Sequence, residues 1–210
     1  MLEPLILVTA TIVAVLLVAR SLAGDRQIRR ALRRRRVTAI ATVRDGEHVR
    51  LRGRVVLPPG ALAAPLTGRA CAYYVAIVDQ QSANNDWRQL AHEERAVAFD
   101  LDDGTGRARV DMARSKALVL RDHRTRRGPE SDPTAAELAF LDRQKLATTD
   151  FRGRKAATRF YEGALPADAQ ITALGVARVE LRDGERHVVL TAPSDAPLYL
   201  SDEPPVVQAP

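Results

Sequence analysis

The 210-residue sequence contains one cysteine, Cys71, and only 4% aromatic residues. A single cysteine excludes an intramolecular disulfide and a cysteine-rich zinc cluster, so the fold needs no oxidising compartment. The four histidines are scattered, and none stands beside a second potential ligand at a metal-binding spacing. No glycine-rich run leads from a strand into a helix, as phosphate binding would require. We therefore predict no metal ion and no cofactor.

Cys71 opens the stretch CAYYVAIV, residues 71–78, which is apolar at every position. Strand alternation puts Cys71, Tyr73, Val75 and Ile77 on one face and Ala72, Tyr74, Ala76 and Val78 on the other. A strand that is apolar on both faces is typical of a central strand covered on both sides. A nucleophilic cysteine instead needs a base and an electropositive, partly exposed setting. We predict a buried thiol and no catalytic residue.

Positive charge is concentrated near the N-terminus. Residues 20–54 contain twelve arginines and three acidic residues, a net charge of +9, whereas residues 55–210 carry −2. The overall charge of +6 therefore belongs to one segment and does not by itself indicate nucleic-acid binding. No interleaved aromatic residues or base-reading motif accompany the arginines, so the sequence does not favour nucleic acid as a partner.

An apolar run precedes these arginines. Residues 5–19 contain no charged side chain, and a helix over residues 4–23 would be about 30 Å long, the thickness of a bilayer core. A cleaved signal peptide is the alternative, with small residues before Gly24. Its start, however, carries Glu3 where a signal peptide is positively charged. We predict a single transmembrane anchor over residues 1–24.

Residues 25–41 are predicted to form a basic juxtamembrane segment, with Ile28, Ala31 and Leu32 on one side of a helix. Arginines near the end of a span favour the cytoplasmic side. We therefore predict a single-pass protein of the cell (inner) membrane with its main domain in the cytoplasm. The segment is also predicted to contact anionic lipid headgroups, at about 1 kcal/mol per basic residue. The arginines concerned are Arg26, Arg29, Arg30, Arg33, Arg34, Arg35 and Arg36.

Residues 42–203 are predicted to form a mainly β (α+β) domain, an antiparallel barrel-like sheet with one inserted helix. Three Asp-Gly pairs stand between alternating runs and predict hairpins, because glycine takes the positive φ of the turn without cost. They lie at Asp45-Gly46, Asp103-Gly104 and Asp183-Gly184.

The inserted helix is predicted in SDPTAAELAFLDRQKL, residues 131–146, with Asp132 as its N-cap. The charged residues upstream, 121–133, are punctuated by glycine and proline and are interpreted as an exposed loop. Residues 204–210 are interpreted as a frayed tail.

Four separated stretches form a further pattern. They are PLTGRACAYY at 65–74, Trp87, AVAFDLDDGTGRARVD at 96–111 and FYEGALPADAQITALGVARVE at 160–180. In order and spacing they resemble the GIDE domain of membrane-anchored ubiquitin ligases of mitochondria and chloroplasts, a domain that also occurs in bacterial proteins. APLYLSD at 196–202 is similar to the last strand of the family. The motif residues that the resemblance marks as structural are Pro65, Leu66, Thr67, Gly68, Arg69, Cys71, Tyr73, Tyr74, Gly104, Gly106, Asp111, Glu162, Gly163 and Gly175.

The resemblance does not transfer the ligase activity of the family to this chain. The ligases continue through a second membrane span into a RING domain that binds zinc, whereas these 210 residues hold one cysteine and no second apolar run. We therefore predict that the chain is not an enzyme. In the ligases the corresponding domain is thought to engage substrates, so the resemblance implies protein recognition. In organelles that domain faces the intermembrane space, while the arginines here predict the cytoplasmic side.

The predicted function is a non-enzymatic, membrane-anchored binding or scaffold module that recognises an unknown protein partner or lipid. The predicted partner-binding residues are Trp87, Asn84, Asn85 and Arg88, because tryptophan in a polar loop is a typical interface residue. The other interpretation of Trp87 is that it caps the barrel core. Two other functions stay open: a subunit of a ubiquitin-ligase-like or other enzymatic assembly whose catalytic part is on another chain, and a membrane-tethered nucleic-acid binder.

Overall fold

The computed structural model describes residues 24–82, 84–147, 149 and 155–209. Within these residues, twelve strands form two sheets. The strands are β1 (His48–Val56), β2 (Leu62–Ala63), β3 (Ala70–Gln81), β4 (Trp87–Ala96), β5 (Phe99–Asp102), β6 (Arg107–Val110), β7 (Ser115–Leu118), β8 (His123–Arg127), β9 (Thr158–Pro166), β10 (Gln170–Arg182), β11 (Glu185–Thr191) and β12 (Leu198–Ser201). The helical segments are α1 over residues 24–33, a 3-10 turn at Ile40–Thr42, α2 (Ala135–Arg143) and α3 (Pro204–Val207).

Five strands of the first sheet close a ring of pairings. β1 pairs with β5, β5 with β6, β6 with β11, β11 with β10, and β10 again with β1. A five-stranded Greek-key barrel of this kind has the architecture of an OB-fold. β12 continues the sheet from β10 and β7 from β12. The mainly β, barrel-like prediction is confirmed.

The prediction of a wholly antiparallel sheet is wrong at two places. β11 runs parallel to β6, and β12 runs parallel to β7. Parallel neighbours need a long crossover. Here the chain between the paired strands contains α2 and further strands, so it is long enough to return to the same end of the sheet.

The barrel encloses the main hydrophobic cluster. Leu51, Phe99, Leu101 and Leu190 are fully buried in it. Inward and outward positions alternate along the barrel strands, as a sheet with one buried face requires.

The second sheet comes from chain inserted between the barrel strands. Its strand β3 is central, because it pairs with β9 on one edge and with β2 and β4 on the other. Every residue from Cys71 to Val78 is buried. One face of β3 packs on the barrel cluster, and the other packs with Phe140 and Leu141 of α2. The central-strand prediction for this stretch is therefore confirmed.

The predicted alternation in β3 is wrong at its first residues. The pairing with β9 shifts register between Cys71 and Tyr74. A bulge adds a residue to one strand and locally breaks the alternation of side chains. Ala72 and Tyr73 consequently both pack in the barrel cluster, while Cys71 lies with Tyr74 in the cluster beneath α2.

Two of the three predicted hairpins are confirmed. β5 and β6 pair across the Asp103-Gly104 turn, and β10 and β11 across Asp183-Gly184. Asp183 has φ 53° and Gly184 φ 80°, the two positive angles that a type I′ turn needs. The prediction of a hairpin at Asp45-Gly46 is wrong. The chain before this Asp-Gly pair forms the 3-10 turn at Ile40–Thr42 instead of a strand, and β1 follows the pair.

Helix α2 begins with a capping box. The Thr134 hydroxyl accepts the N–H of Glu137, whose carboxylate accepts the N–H of Thr134 at 2.7 Å. The predicted N-cap, Asp132, lies two residues too early. Glu137 is buried and also accepts hydrogen bonds from Thr125 and Arg127, which fixes the first turn of the helix against β8. The interpretation of residues 121–133 as an exposed loop is therefore wrong for β8, which lies in this stretch and pairs with β9.

Helix α1 lies on the outside of the first sheet. Ile28 and Leu32 are buried against Leu174, Tyr199 and Val206, with Ala31 packed beside them. The predicted apolar side of this helix is confirmed.

The interpretation of the C-terminal residues as a frayed tail is wrong. Val206 of α3 is fully buried, and the buried Arg50 donates hydrogen bonds to the carbonyl oxygens of Val206 at 2.7 Å and Ala209 at 3.0 Å. A buried guanidinium needs acceptors, and these carbonyls supply some of them. The last turn is thus a packed part of the domain.

The predicted transmembrane segment falls almost entirely on residues 1–23, which lie outside the described residues. None of the helices in the part of the chain that the structure describes has the length and apolarity that a bilayer crossing requires.

Candidate interaction surface

A tryptophan stacked against arginines lies on the second sheet. Trp87 is the first residue of β4, is half-buried and follows the turn instead of lying within it. The Cζ atom of Arg159 is 3.6 Å from the centroid of the indole ring, and that of Arg126 is 5.4 Å away. An arginine over an indole face is attracted by the negative face of the ring. Trp87 is not among the described residues that form the hydrophobic cluster of the barrel.

Strand register brings these side chains together. Arg126 of β8 is opposite Arg159 of β9, and Arg124 is opposite Tyr161. Directly opposed residues project from the same face of a sheet. The Cζ atom of Arg124 lies 6.0 Å from the ring centroid of Tyr161, so the stacking repeats along the strands. We call Trp87, Arg124, Arg126, Arg159 and Tyr161 the tryptophan-arginine face.

One acidic residue is in register with this face. Asp79 of β3 lies opposite Arg159. Burial raises the pKa of the Asp79 carboxyl, and the positive charges of Arg159 and Arg121 act against that rise. Glu94 of β4 lies opposite Val75 and so projects from the same side of the sheet. The three arginines of the face outnumber these two carboxylates, a balance that suits an acidic ligand.

The other predicted partner-binding residues lie close to Trp87 in the chain. Asn84 and Asn85 are exposed in the turn between β3 and β4, where Asn85 has φ 64°. Arg88 is exposed in β4 and lies opposite Gln80. Because neighbouring residues of a strand point to opposite faces, Arg88 projects away from the tryptophan-arginine face.

Sequence reasoning missed the arginines of β8 and β9. Strands are recognised from alternating apolar residues. The β8 sequence HRTRR alternates only between charged and polar residues. A weak signal was present, since the period-2 spacing of Arg124 and Arg126 puts both on one face of a strand.

A second cluster of functional interest is formed by the motif residues. Glu162 is fully buried, and its carboxylate accepts the N–H of Leu66 at 2.6 Å and the hydroxyl of Thr67 at 2.5 Å. A guanidinium nitrogen of Arg69 lies 3.7 Å from the same carboxylate. The PLTGR turn and the YEG strand are therefore joined by one buried acid, whose charge is met by donors and a cation.

Arg69 and Cys71 complete this cluster. Arg69 forms a two-point ion pair with Asp122, with N to O distances of 2.6 and 2.8 Å. Burial raises the pKa of the Cys71 thiol to about 11, and the negative charge of Glu162 adds to that rise. The thiol is protonated at neutral pH, whereas the thiolate is the nucleophilic form.

Two motif glycines allow close backbone contacts. A Cβ atom on Gly163 would lie 2.6 Å from the carbonyl oxygen of Leu120, and one on Gly175 would lie 2.5 Å from that of Thr191. Both positions exclude a side chain.

The remaining motif residues lie in turns or in the buried central strand. Pro65 and Gly68 are in the turn before β3, and Tyr73 and Tyr74 are buried in β3. Gly104 and Gly106 are in the β5–β6 turn, and Asp111 follows β6 and accepts the N–H of Ala113 at 3.0 Å.

The arginines predicted to contact lipid headgroups have three different settings. Some bond to the domain: Arg29 to the carboxylate of Glu203, Arg33 to the carbonyl of Pro205 and Arg35 to the carbonyl of His48. Others, Arg26, Arg30 and Arg34, line a groove beside Tyr199. Arg36 is exposed.

The comparison with protein families agrees with this arrangement. The sequence model of the family described as GIDE: E3 Ubiquitin ligase matches residues 77–205. The chain belongs to the GIDE family. The matched residues of this GIDE domain include the whole tryptophan-arginine face and Glu162, and the PLTGR turn that Glu162 binds lies just before them. No curated protein and no solved structure matches the chain.

Proposed function

We propose that this GIDE-family chain is a membrane-anchored, non-enzymatic recognition module that presents its β domain to a protein partner. The observation that carries the proposal is the stacking of Trp87 with Arg159 and Arg126 at the accessible end of the second sheet. Tryptophan and arginine are the residues in which binding energy at protein interfaces concentrates. Stacking also holds the guanidinium groups in place before a partner arrives, which lowers the entropic cost of binding.

The charges of the face favour an acidic partner. Among the described residues of this side of the sheet, three arginines stand against two carboxylates, those of Asp79 opposite Arg159 and of Glu94 opposite Val75. A guanidinium group bonds a carboxylate through two parallel N–H donors. The indole and phenol rings add apolar area beside those donors. The partner we propose is an acidic segment of a protein that carries an apolar or aromatic side chain.

The proposed membrane placement rests on the N-terminal sequence and on α1. The predicted span of residues 4–23 leads directly into α1, which is packed on the domain through Ile28 and Leu32. The arginines that follow the span favour a cytoplasmic domain close to the headgroups. In this arrangement a docked helix holds the domain in a fixed orientation at the membrane surface.

Site-specific photocross-linking in native membranes tests the proposal. A photoreactive phenylalanine analogue replaces Gln89, which is opposite Asp79 and so points to the tryptophan-arginine face. The control position is Arg88, the neighbouring residue of the same strand on the other face. We expect a discrete adduct from position 89 and none from position 88, with Trp87→Ala and Arg126→Glu each removing it. Equal adducts from both positions, or an adduct that both variants retain, would contradict the proposal.

A further inference from the structure

A groove separates one flank of α1 from β12. Its volume is about 510 Å³, and its lining residues are Arg26, Gln27, Arg30, Ala31, Arg34 and Tyr199. Three of the six lining residues are arginines, and the described lining contains no acidic side chain.

The arginines converge because of their helical spacing. Arg26, Arg30 and Arg34 follow one another at four-residue intervals, which puts them on one side of α1. Like charges at this spacing repel each other within a helix. Across the described residues, none of the three side chains has a hydrogen bond or an ion pair to another residue. An anion in the groove would relieve that repulsion.

The groove is held open by contacts on the other side of the helix. Ile28 and Leu32 pack into the domain, and Arg29 bonds both carboxylate oxygens of Glu203 at 2.7 Å. At the groove wall, the Tyr199 hydroxyl accepts a hydrogen bond from the side-chain amide of Gln27 at 3.1 Å. Its own O–H hydrogen is then available to donate into the groove. Guanidinium and hydroxyl donors together suit a phosphate group.

We propose that this groove binds the phosphate group of an anionic membrane lipid. The lipid source is argued from position and rests on the proposed anchoring. At about 1.5 Å per residue, Arg26 lies about 4.5 Å and Arg30 about 10 Å beyond Ala23, the last residue of the predicted span. The headgroup layer on each side of a bilayer is about 5 to 8 Å thick. Arg26 therefore lies within the headgroup layer, and Arg30, whose side chain tilts toward the helix N-terminus, lies just beyond its edge.

Native mass spectrometry of the full chain in detergent provides the test. The chain is titrated with phosphatidylglycerol, with phosphatidylcholine and with inorganic phosphate. Each basic residue near the surface contributes about 1 kcal/mol, so Arg26→Gln/Arg30→Gln should weaken phosphatidylglycerol binding by about 30-fold. The matched control, Arg44→Gln/Arg178→Gln, removes two exposed arginines outside both the groove and the basic segment of residues 25–41, and should change binding less than about twofold. Tyr199→Phe keeps the charge and should give a smaller loss that still exceeds the control.

Three results would overturn the groove proposal. They are equal binding of both lipids, equal losses in the groove and control variants, and inorganic phosphate binding as tight as phosphatidylglycerol with the same dependence on Arg26 and Arg30. Carbonate extraction of membranes separates this proposal from the anchoring on which it rests. Release of the wild-type chain by carbonate would refute the anchoring, whereas a retained chain without lipid preference would refute the groove alone.

Discussion

The carboxylate of Glu162 lies 2.5 Å from the hydroxyl of Thr67, although the two residues are 95 positions apart in the chain. The bond joins the YEG strand to the PLTGR turn. The same carboxylate accepts the backbone N–H of Leu66, which orients the turn against the start of the central strand β3. The two motifs thus have a physical link, because each supplies the partner that the other needs when buried.

Replacing Glu162 by glutamine should destabilise the domain. The amide is neutral, so it weakens the charge-assisted bonds to Leu66 and Thr67, and its NH2 group places a donor where an acceptor is needed. We expect the free energy of unfolding in urea to fall by about 2 kcal/mol. Glu130→Gln, a change at an exposed glutamate, is the control and should have little effect. A loss below about 0.5 kcal/mol for Glu162→Gln would contradict this role.

Gly163 should tolerate no side chain. The Cβ atom of an alanine would lie 2.6 Å from the Leu120 carbonyl oxygen, so the backbone of β9 or of the Leu120 segment must move. Overpacking of this kind costs about 2 kcal/mol. Gly128→Ala is the matched control, because its Cβ would have no neighbour within 4 Å. Thermal unfolding of both variants measures the difference, and equal melting temperatures would show that the segment adapts.

Much of this fold was readable from the sequence for local reasons. Hairpins at Asp103-Gly104 and Asp183-Gly184 followed from the backbone angles that glycine permits. The central strand at Cys71 followed from its two apolar faces. These features depend on residues within a few positions of one another, which is why a single sequence carries them.

The features that escaped prediction depend on distant partners. Strand β8 has no apolar pattern and is held by backbone pairing with β9. The bulge after Cys71 is set by the register of the same neighbour. Trp87 was singled out from the sequence, but its stacking with Arg159 requires β3, β4 and β9 to lie side by side. Long-range register therefore decided the candidate surface, strand β8 and the bulge.

Asp202 should give the domain a specific pH dependence. Burial raises the pKa of its carboxyl from the usual 3.8 to about 6, although the N–H of Leu120 donates to it at 2.8 Å. Between these two pH values the folded state binds more protons than the unfolded state. The contribution of Asp202 to stability is thus fully present below about pH 3.8 and is lost as the pH rises to about 6.

The Asp202→Asn variant isolates this effect. Asparagine keeps an acceptor for the Leu120 N–H and does not titrate. We expect its free energy of unfolding, relative to wild type, to increase as the pH rises from about 4 to about 6 and to stay constant above that range. Urea denaturation at intervals of pH measures the difference. The same difference at every pH would show that the pKa of Asp202 is not raised in the folded protein.

The ion pair between Arg29 and Glu203 should couple α1 to the C-terminal turn. Its two N to O contacts are both 2.7 Å, and the hydrogen bond to Glu203 raises the pKa of Arg29 despite some burial. Because the Arg29 side chain is 39% exposed, solvent screening limits the coupling to about 1 kcal/mol. A double-mutant cycle of Arg29→Gln and Glu203→Gln measures it from urea denaturation.

The pair of Lys155 and Asp132 provides the control for that cycle. Its side chains are 62% and 84% exposed, so its own cycle should show almost no coupling. If the Arg29 pair also shows none, the burial of Ile28 and Leu32 alone holds the helix. In that case, removing both charges would leave α1 docked. If the coupling is present, removing either charge loosens the helix and, with it, the wall of the arginine groove beside Tyr199.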